Sequence, residues 1–110
     1  MSAFGPALFV SRADGAALPE DEQSAILAHV RAATARLGLP RAVPRVYDYD
    51  GYEPLALGVL LYSEYGYQHM PDEVREDQDR AWADQGHRVG AEVSKQAPGV
   101  YNYTAYTVED

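Results

Sequence analysis

The chain contains no cysteine, which excludes disulfide bonds, thiolate metal sites and cysteine nucleophiles. No apolar run approaches the roughly 20 residues that a membrane-spanning helix needs. Residues 1–10 have no basic segment ahead of an apolar one, unlike a secretory signal peptide. The expected location is therefore the cytoplasm.

Several catalytic and nucleotide-binding motifs are also missing. The sequence has no glycine-rich phosphate loop, no G-x-S-x-G nucleophile elbow and no H-E-x-x-H zinc motif. The nearest approach to a metal site is His69 with Asp72 and Glu73, whose spacing matches no strong metal motif. We therefore expect no metal and no cofactor, and we lean towards a protein without catalytic activity.

Positive charge is scarce as well. The chain has 17 acidic against 9 basic residues and a formal net charge of -8, and Lys95 is its one lysine. Such a field repels phosphate backbones, which argues against nucleic-acid binding and favours a basic partner. The preference for arginine over lysine and the frequent alanine are typical of a GC-rich bacterial source.

The 110 residues, of which 46% are hydrophobic, fit one globular domain over residues 1–110, with residues 109–110 expected to fray. Apolar periodicity and turn residues predict an α+β chain in the order β-α-β-β-α-β. This order is that of a ferredoxin-like fold, with a four-stranded antiparallel sheet and both helices on one face. The predicted elements are strands 7–12, 43–49, 55–62 and 100–108 and helices 20–37 and 72–97.

Two features of these elements leave alternatives open. The strand over residues 55–62 is apolar on both alternating faces, although two helices cover only one face of a sheet well. A homodimer through the sheet, or another partner, is expected over the second face. Gly86 and Gly90 lie one turn apart in the second helix, where they either let another backbone approach closely or bend the helix.

The start of the second helix is strongly acidic. It carries six acids against two bases, Arg75 and Arg80. Such a run is often a solvated helix face with i,i+4 pairs. Alternatively, it is a docking face that attracts a basic protein and raises its association rate. The acids are Asp72, Glu73, Glu76, Asp77, Asp79 and Asp84.

Tyrosine is abundant, with 9 copies against 2 phenylalanines and 1 tryptophan. Tyrosine suits strands, and it also supplies large contact area at low entropy cost. Tyr65 and Tyr67, next to the acidic helix, are the expected anchors for a partner, together with the acids up to Asp79. A different use of the same residue type is a ligand pocket lined by Tyr47, Tyr62, His69 and Tyr103.

Two hypotheses for the function follow. The first is a small non-catalytic inhibitor or immunity-type protein whose acidic helix and tyrosines dock a basic partner such as a toxin or nuclease. The second is a dimeric α+β-barrel enzyme or small-molecule-binding protein, like a cyclase or monooxygenase, with the Tyr/His-lined pocket.

Overall fold

The computed structural model describes residues 4–39, 44–46, 56–64 and 66–109. Within these ranges, an antiparallel sheet is packed against two helices, which confirms the α+β class. The elements in chain order are β1 (Phe4–Arg12), α1 (Glu20–Arg36), β2 (Arg45–Val46), β3 (Ala56–Leu60), a 3-10 turn (Tyr67–His69), α2 (Asp72–Ser94) and β4 (Tyr101–Glu109).

Both helices begin directly after a proline. Pro19 precedes α1 and Pro71 precedes α2, each with a φ near -60° that suits a helix start. Acidic side chains fill both first turns, where the positive end of the helix dipole stabilises them. Past the end of α1, Gly38 adopts a φ of 68°, a left-handed conformation that glycine tolerates best. The local sequence therefore accounts for both helix positions.

Among the described residues, the sheet has three longer strands, β3, β1 and β4, with β1 between the other two and all neighbours antiparallel. At its centre, Leu8 is paired with Val59 on one side and with Ala105 on the other. The two-residue β2 pairs with the free side of β3. The expected ferredoxin-like sheet of four full strands is not confirmed, because most of the predicted strand 43–49 lies outside the described residues.

The main core lies between the sheet and the two helices. Leu8 and Val59 from the sheet meet Val30 of α1 and Val89 of α2 in one fully buried cluster, so both helices cover the same face. A second, smaller cluster occupies the opposite face. It contains Ala7, Leu60 and Val108, of which the first two have no exposed surface. Residues on both faces of β3 are thus buried within the chain, and the expected homodimer through the sheet stays a prediction.

Helix α2 runs without interruption through both of its glycines. A Cβ on Gly86 would lie 2.8 Å from the Cβ of Ala105, and one on Gly90 would lie 3.3 Å from the Cβ of Tyr103. The two glycines therefore let α2 approach β4 closely, as the first of the two interpretations proposed, and they do not break the helix. No helix in the described parts of the chain is long and apolar enough to cross a membrane.

Candidate functional site

The acidic residues at the start of α2 divide between two sides of the helix. At 3.6 residues per turn, Glu73, Glu76, Asp77 and Asp84 lie on the side opposite the buried Trp82, and all four are exposed. They form what we call the outer acidic face. Two exposed arginines, Arg80 and Arg88, share this side, and Arg80 forms an ion pair with Asp77.

Two further predicted contact acids, besides Asp77, are engaged within the chain. Asp72 forms an ion pair with Arg75 one turn further along. Asp79 accepts a 2.8 Å hydrogen bond from the hydroxyl of Tyr67. Within the described residues, Glu73 and Glu76 are in no ion pair. Of the predicted contact acids, these two carboxylates therefore most readily meet a basic partner.

Tyr67 was expected to anchor a partner, but it lies inside the fold. Only 5% of its surface is exposed, and its ring lies 4.9 Å from that of Trp82 and 5.5 Å from that of Phe4. The ring therefore packs between Phe4 and the first part of α2, and it presents no surface to a partner. The other predicted anchor, Tyr65, lies outside the described residues.

A cleft of about 250 Å³ opens between α2 and β4. Its floor is Leu8 and its walls carry mostly small side chains, since α2 contributes two glycines, an alanine and a serine. Of the residues predicted to line a ligand pocket, Tyr103 lines this cleft. The lining residues are Leu8, Gly86, His87, Gly90, Ala91, Ser94, Tyr101, Asn102, Tyr103 and Ala105.

The Tyr103 hydroxyl is buried and has no hydrogen-bond partner in the part of the chain that the structure describes. Burial disfavours its charged form and so raises the pKa of Tyr103 above its ordinary value of 10.0. A tyrosine in this state holds its proton firmly, which makes it a poor general base.

The other residues of the predicted Tyr/His pocket are not gathered around Tyr103. The Tyr62 hydroxyl donates a 2.8 Å hydrogen bond to Oε1 of Gln85, and His69 is exposed in the 3-10 turn. Neither Tyr62 nor His69 lines the cleft that contains Tyr103. Tyr47 lies outside the described residues. The described part of the chain therefore shows no shared pocket for these side chains.

A polar cluster not predicted from the sequence lies at the start of β4. Arg12 holds both carboxylate oxygens of Asp14 through Nε and Nη2, at 3.0 and 2.9 Å, and it also donates to Glu22. The Tyr101 hydroxyl donates to the same Glu22 oxygen at 2.9 Å. Burial, followed by this hydrogen bond, raises the pKa of Tyr101. The cluster joins β1, α1 and β4, and it contains residues 79 positions apart, so only the fold reveals it.

No group of three histidine, aspartate or glutamate side chains in the described ranges is arranged to hold a metal ion. The chain matches no protein-family model, no curated protein and no solved structure. The charges and surfaces of the chain itself are therefore the basis for its function.

Proposed function

We propose that this chain is a non-catalytic protein-binding domain of the inhibitor or immunity type, which docks a basic protein through the outer acidic face of α2. The observation that carries the proposal is the position of Glu73, Glu76, Asp77 and Asp84 on one exposed side of the helix. Because four carboxylates share that side with two arginines, Arg80 and Arg88, the face keeps a net negative charge.

Electrostatic attraction is the expected contribution of this face. Negative charges clustered on one side of an acidic protein raise the local concentration of a basic partner and accelerate association. Such charges at the rim of an interface change the on-rate and its salt dependence more than they change the final contacts. The basic surface of a toxin or nuclease, built to hold phosphates, is the kind of surface that carboxylates compete for.

The test needs a partner of known identity. We would capture proteins on the tagged chain from the host lysate at low and at moderate salt, identify a stoichiometric basic partner by mass, and measure its association rate. The test variant carries Glu73→Lys with Glu76→Lys. The control carries Glu20→Lys with Asp21→Lys, which makes the same charge change on exposed acids near the start of α1.

We expect the α2 variant to associate at least about tenfold more slowly than the α1 control at low salt, with the difference shrinking as salt rises. Equal rates for the two variants would show that attraction depends on net charge alone, and the outer acidic face would then have no docking role. A captured partner that is acidic would also contradict the proposal.

We further propose that the complete sheet is ferredoxin-like and that the protein acts in the cytoplasm. The pairing of Arg45–Val46 with β3, on the side away from β1, supports a fourth strand at that edge. Nuclear Overhauser contacts between residues 43–49 and β3 would test the strand, and fractionation of host cells would test the location.

A further inference from the structure

Strand β4 forms one edge of the sheet, and its edge is unusually open to pairing. It is nine residues long, and residues 101–108 contain no charged side chain. Edge strands are commonly protected by lysines, prolines, bulges or short length. Residues 101–108 contain no lysine, no proline and no bulge, and the strand is not short. Among the described residues, no strand pairs with the outer side of β4.

The backbone groups on the outer side of β4 are identified by the hydrogen bonds at both ends of β1. The amide of Ala13 donates to the carbonyl of Val100, while the carbonyls of Pro6 and Phe4 accept from the segment after β3. Since antiparallel bonding alternates along a strand, Thr104 and Tyr106 bond β1. The amides and carbonyls that face outward belong to Tyr101, Tyr103, Ala105 and Thr107.

The cleft lies along this same edge. Gly86 is placed over Ala105 and Gly90 over Tyr103, so α2 runs alongside the outer strand in the opposite direction. The small side chains of Ala91 and Ser94 keep the space between helix and strand edge open. A strand added to β4 would place every second side chain in this cleft, which is how a groove gives specificity to backbone pairing.

The side of α2 that borders the outer edge of β4 carries acidic residues at the end of β4 near Val108. Eleven residues make about three helical turns, so Glu76 lies on the same side as His87, and Asp79 on the same side as Gly90. Asp79 is fixed there through Tyr67, whose ring contacts Phe4. Phe4 is paired with the last residue of β4. Carboxylates therefore flank the end of β4 near Val108.

We propose that an extended, basic polypeptide segment of the partner adds to β4 as a further strand, with its positive side chains at the end near Val108. The basic character of the segment rests on the proposed function. The pairing itself rests on the open edge and the cleft. A second copy of the chain is a poorer occupant, because it would bring another charge of -8 to the same edge.

The experiment uses the full chain and three capped eight-residue peptides that alternate valine with lysine, glutamine or glutamate. We would measure their dissociation constants and follow the amide hydrogen exchange of β4 by NMR. We expect the lysine peptide to bind most tightly and to slow exchange at Tyr103, Ala105 and Thr107. Thr104 and Tyr106 serve as internal controls, since their amides already bond β1.

The matched variants are Thr107→Pro and Thr107→Val. Proline removes the outward amide without touching the β1 ladder, whereas valine keeps that amide. We expect Thr107→Pro to weaken the lysine peptide about tenfold, and Thr107→Val to leave it nearly unchanged. Thermal unfolding of both variants would show that each is folded.

Three results would overturn the inference. They are equal peptide affinity for both Thr107 variants, peptide binding without protection of the outward amides, and protection that rises with protein concentration when no peptide is present. The last result would identify a second copy as the occupant. Binding of the captured partner to the α2 and Thr107 variants distinguishes the docking function from the added strand. Sensitivity to Glu73→Lys with Glu76→Lys, but not to Thr107→Pro, would uphold the docking function and refute the added strand.

Discussion

Gly86 and Ala105 are in direct contact across the interface between α2 and β4. The Cα of Gly86 lies so close to the strand that a Cβ there would stand 2.8 Å from the Cβ of Ala105 and 3.4 Å from the carbonyl oxygen of Ala7. Carbon atoms do not approach to 2.8 Å without a shift of the surrounding structure. This contact sets the distance of α2 from the sheet and thereby the width of the cleft beside it.

Replacement of Gly86 by alanine should destabilise the protein. Overpacking costs about 1–3 kcal/mol, and the better helix propensity of alanine returns up to about 1 kcal/mol. We expect a net loss of about 1–2 kcal/mol in the free energy of unfolding, measured by urea denaturation. Gly66→Ala is the control, because a Cβ there meets nothing nearer than 3.9 Å. The double variant Gly86→Ala with Ala105→Gly should recover part of the loss, and failure to do so would place the strain elsewhere.

Removal of the Tyr67 hydroxyl should also destabilise the fold. The variant Tyr67→Phe keeps the ring packed against Trp82 but loses the hydrogen bond to Asp79. The expected loss is about 1 kcal/mol in the free energy of unfolding. Asp79→Ala removes the acceptor, so combining it with Tyr67→Phe in a double-mutant cycle measures the pair itself. A coupling energy near zero would mean that the bond contributes nothing to stability.

The same substitution at Tyr103 should have the opposite sign. Its buried hydroxyl has no partner among the described residues, so Tyr103→Phe removes an unmet hydrogen-bonding group. We expect unchanged or higher stability at neutral pH, by up to about 1 kcal/mol. A loss comparable to that of Tyr67→Phe would show that this hydroxyl has a partner after all.

Alkaline pH gives a second prediction for Tyr103. Its pKa is raised in the folded chain, so the unfolded chain loses the phenolic proton first as pH rises past 10. Stability should then fall with pH in this range, since the folded state binds more protons. Tyr103→Phe should show a shallower fall than the parent chain in urea titrations between pH 9 and 11. Identical slopes would contradict the burial of this hydroxyl.

Asp14 should contribute to acid sensitivity. The hydrogen bonds from Arg12, and then from the amide of Ala16, lower the pKa of Asp14 from 3.8 to about 2. Below pH 3.8 the unfolded chain takes up this proton before the folded chain does, so the contribution of Asp14 is complete above pH 3.8 and is lost towards pH 2. In Asp14→Asn, stability should depend less steeply on pH between 4 and 2. Arg12→Gln should flatten the curve in the same way.

The parts of the fold predicted correctly are those set by local sequence. Prolines and acidic first turns place both helix starts, and the helices end at Arg36 and Ser94 against predicted ends at 37 and 97. Short apolar or tyrosine-rich runs next to turn residues locate β1, β3 and β4 to within a few positions. The two glycines of α2 indicate where the helix contacts the sheet, because residues one turn apart lie on the same side of a helix.

The parts that were missed depend on contacts between distant residues. Nothing near Tyr67 in the sequence shows that Phe4 and Trp82 enclose its ring. Likewise, Glu22 looks like an ordinary acid in a helix first turn, although it accepts from Tyr101. Nothing in the sequence around His87 indicates that it lines the same cleft as Tyr103. Exposure of the acids on α2, by contrast, follows from the helical period alone.

The position of β4 has a consequence for the order in which the protein is made. Among the described strands, β1 leaves the ribosome before the others and β4 after them, yet these two pair over nine positions from Phe4 to Arg12. Until residue 109 is released, β1 lacks one of its two neighbours, and Leu8 and Val10 lack part of their cover. The native sheet therefore closes only after nearly all the described chain has been synthesised. Until then, apolar side chains of β1 and β3 are incompletely covered, and the sheet can close only if the nascent chain does not aggregate.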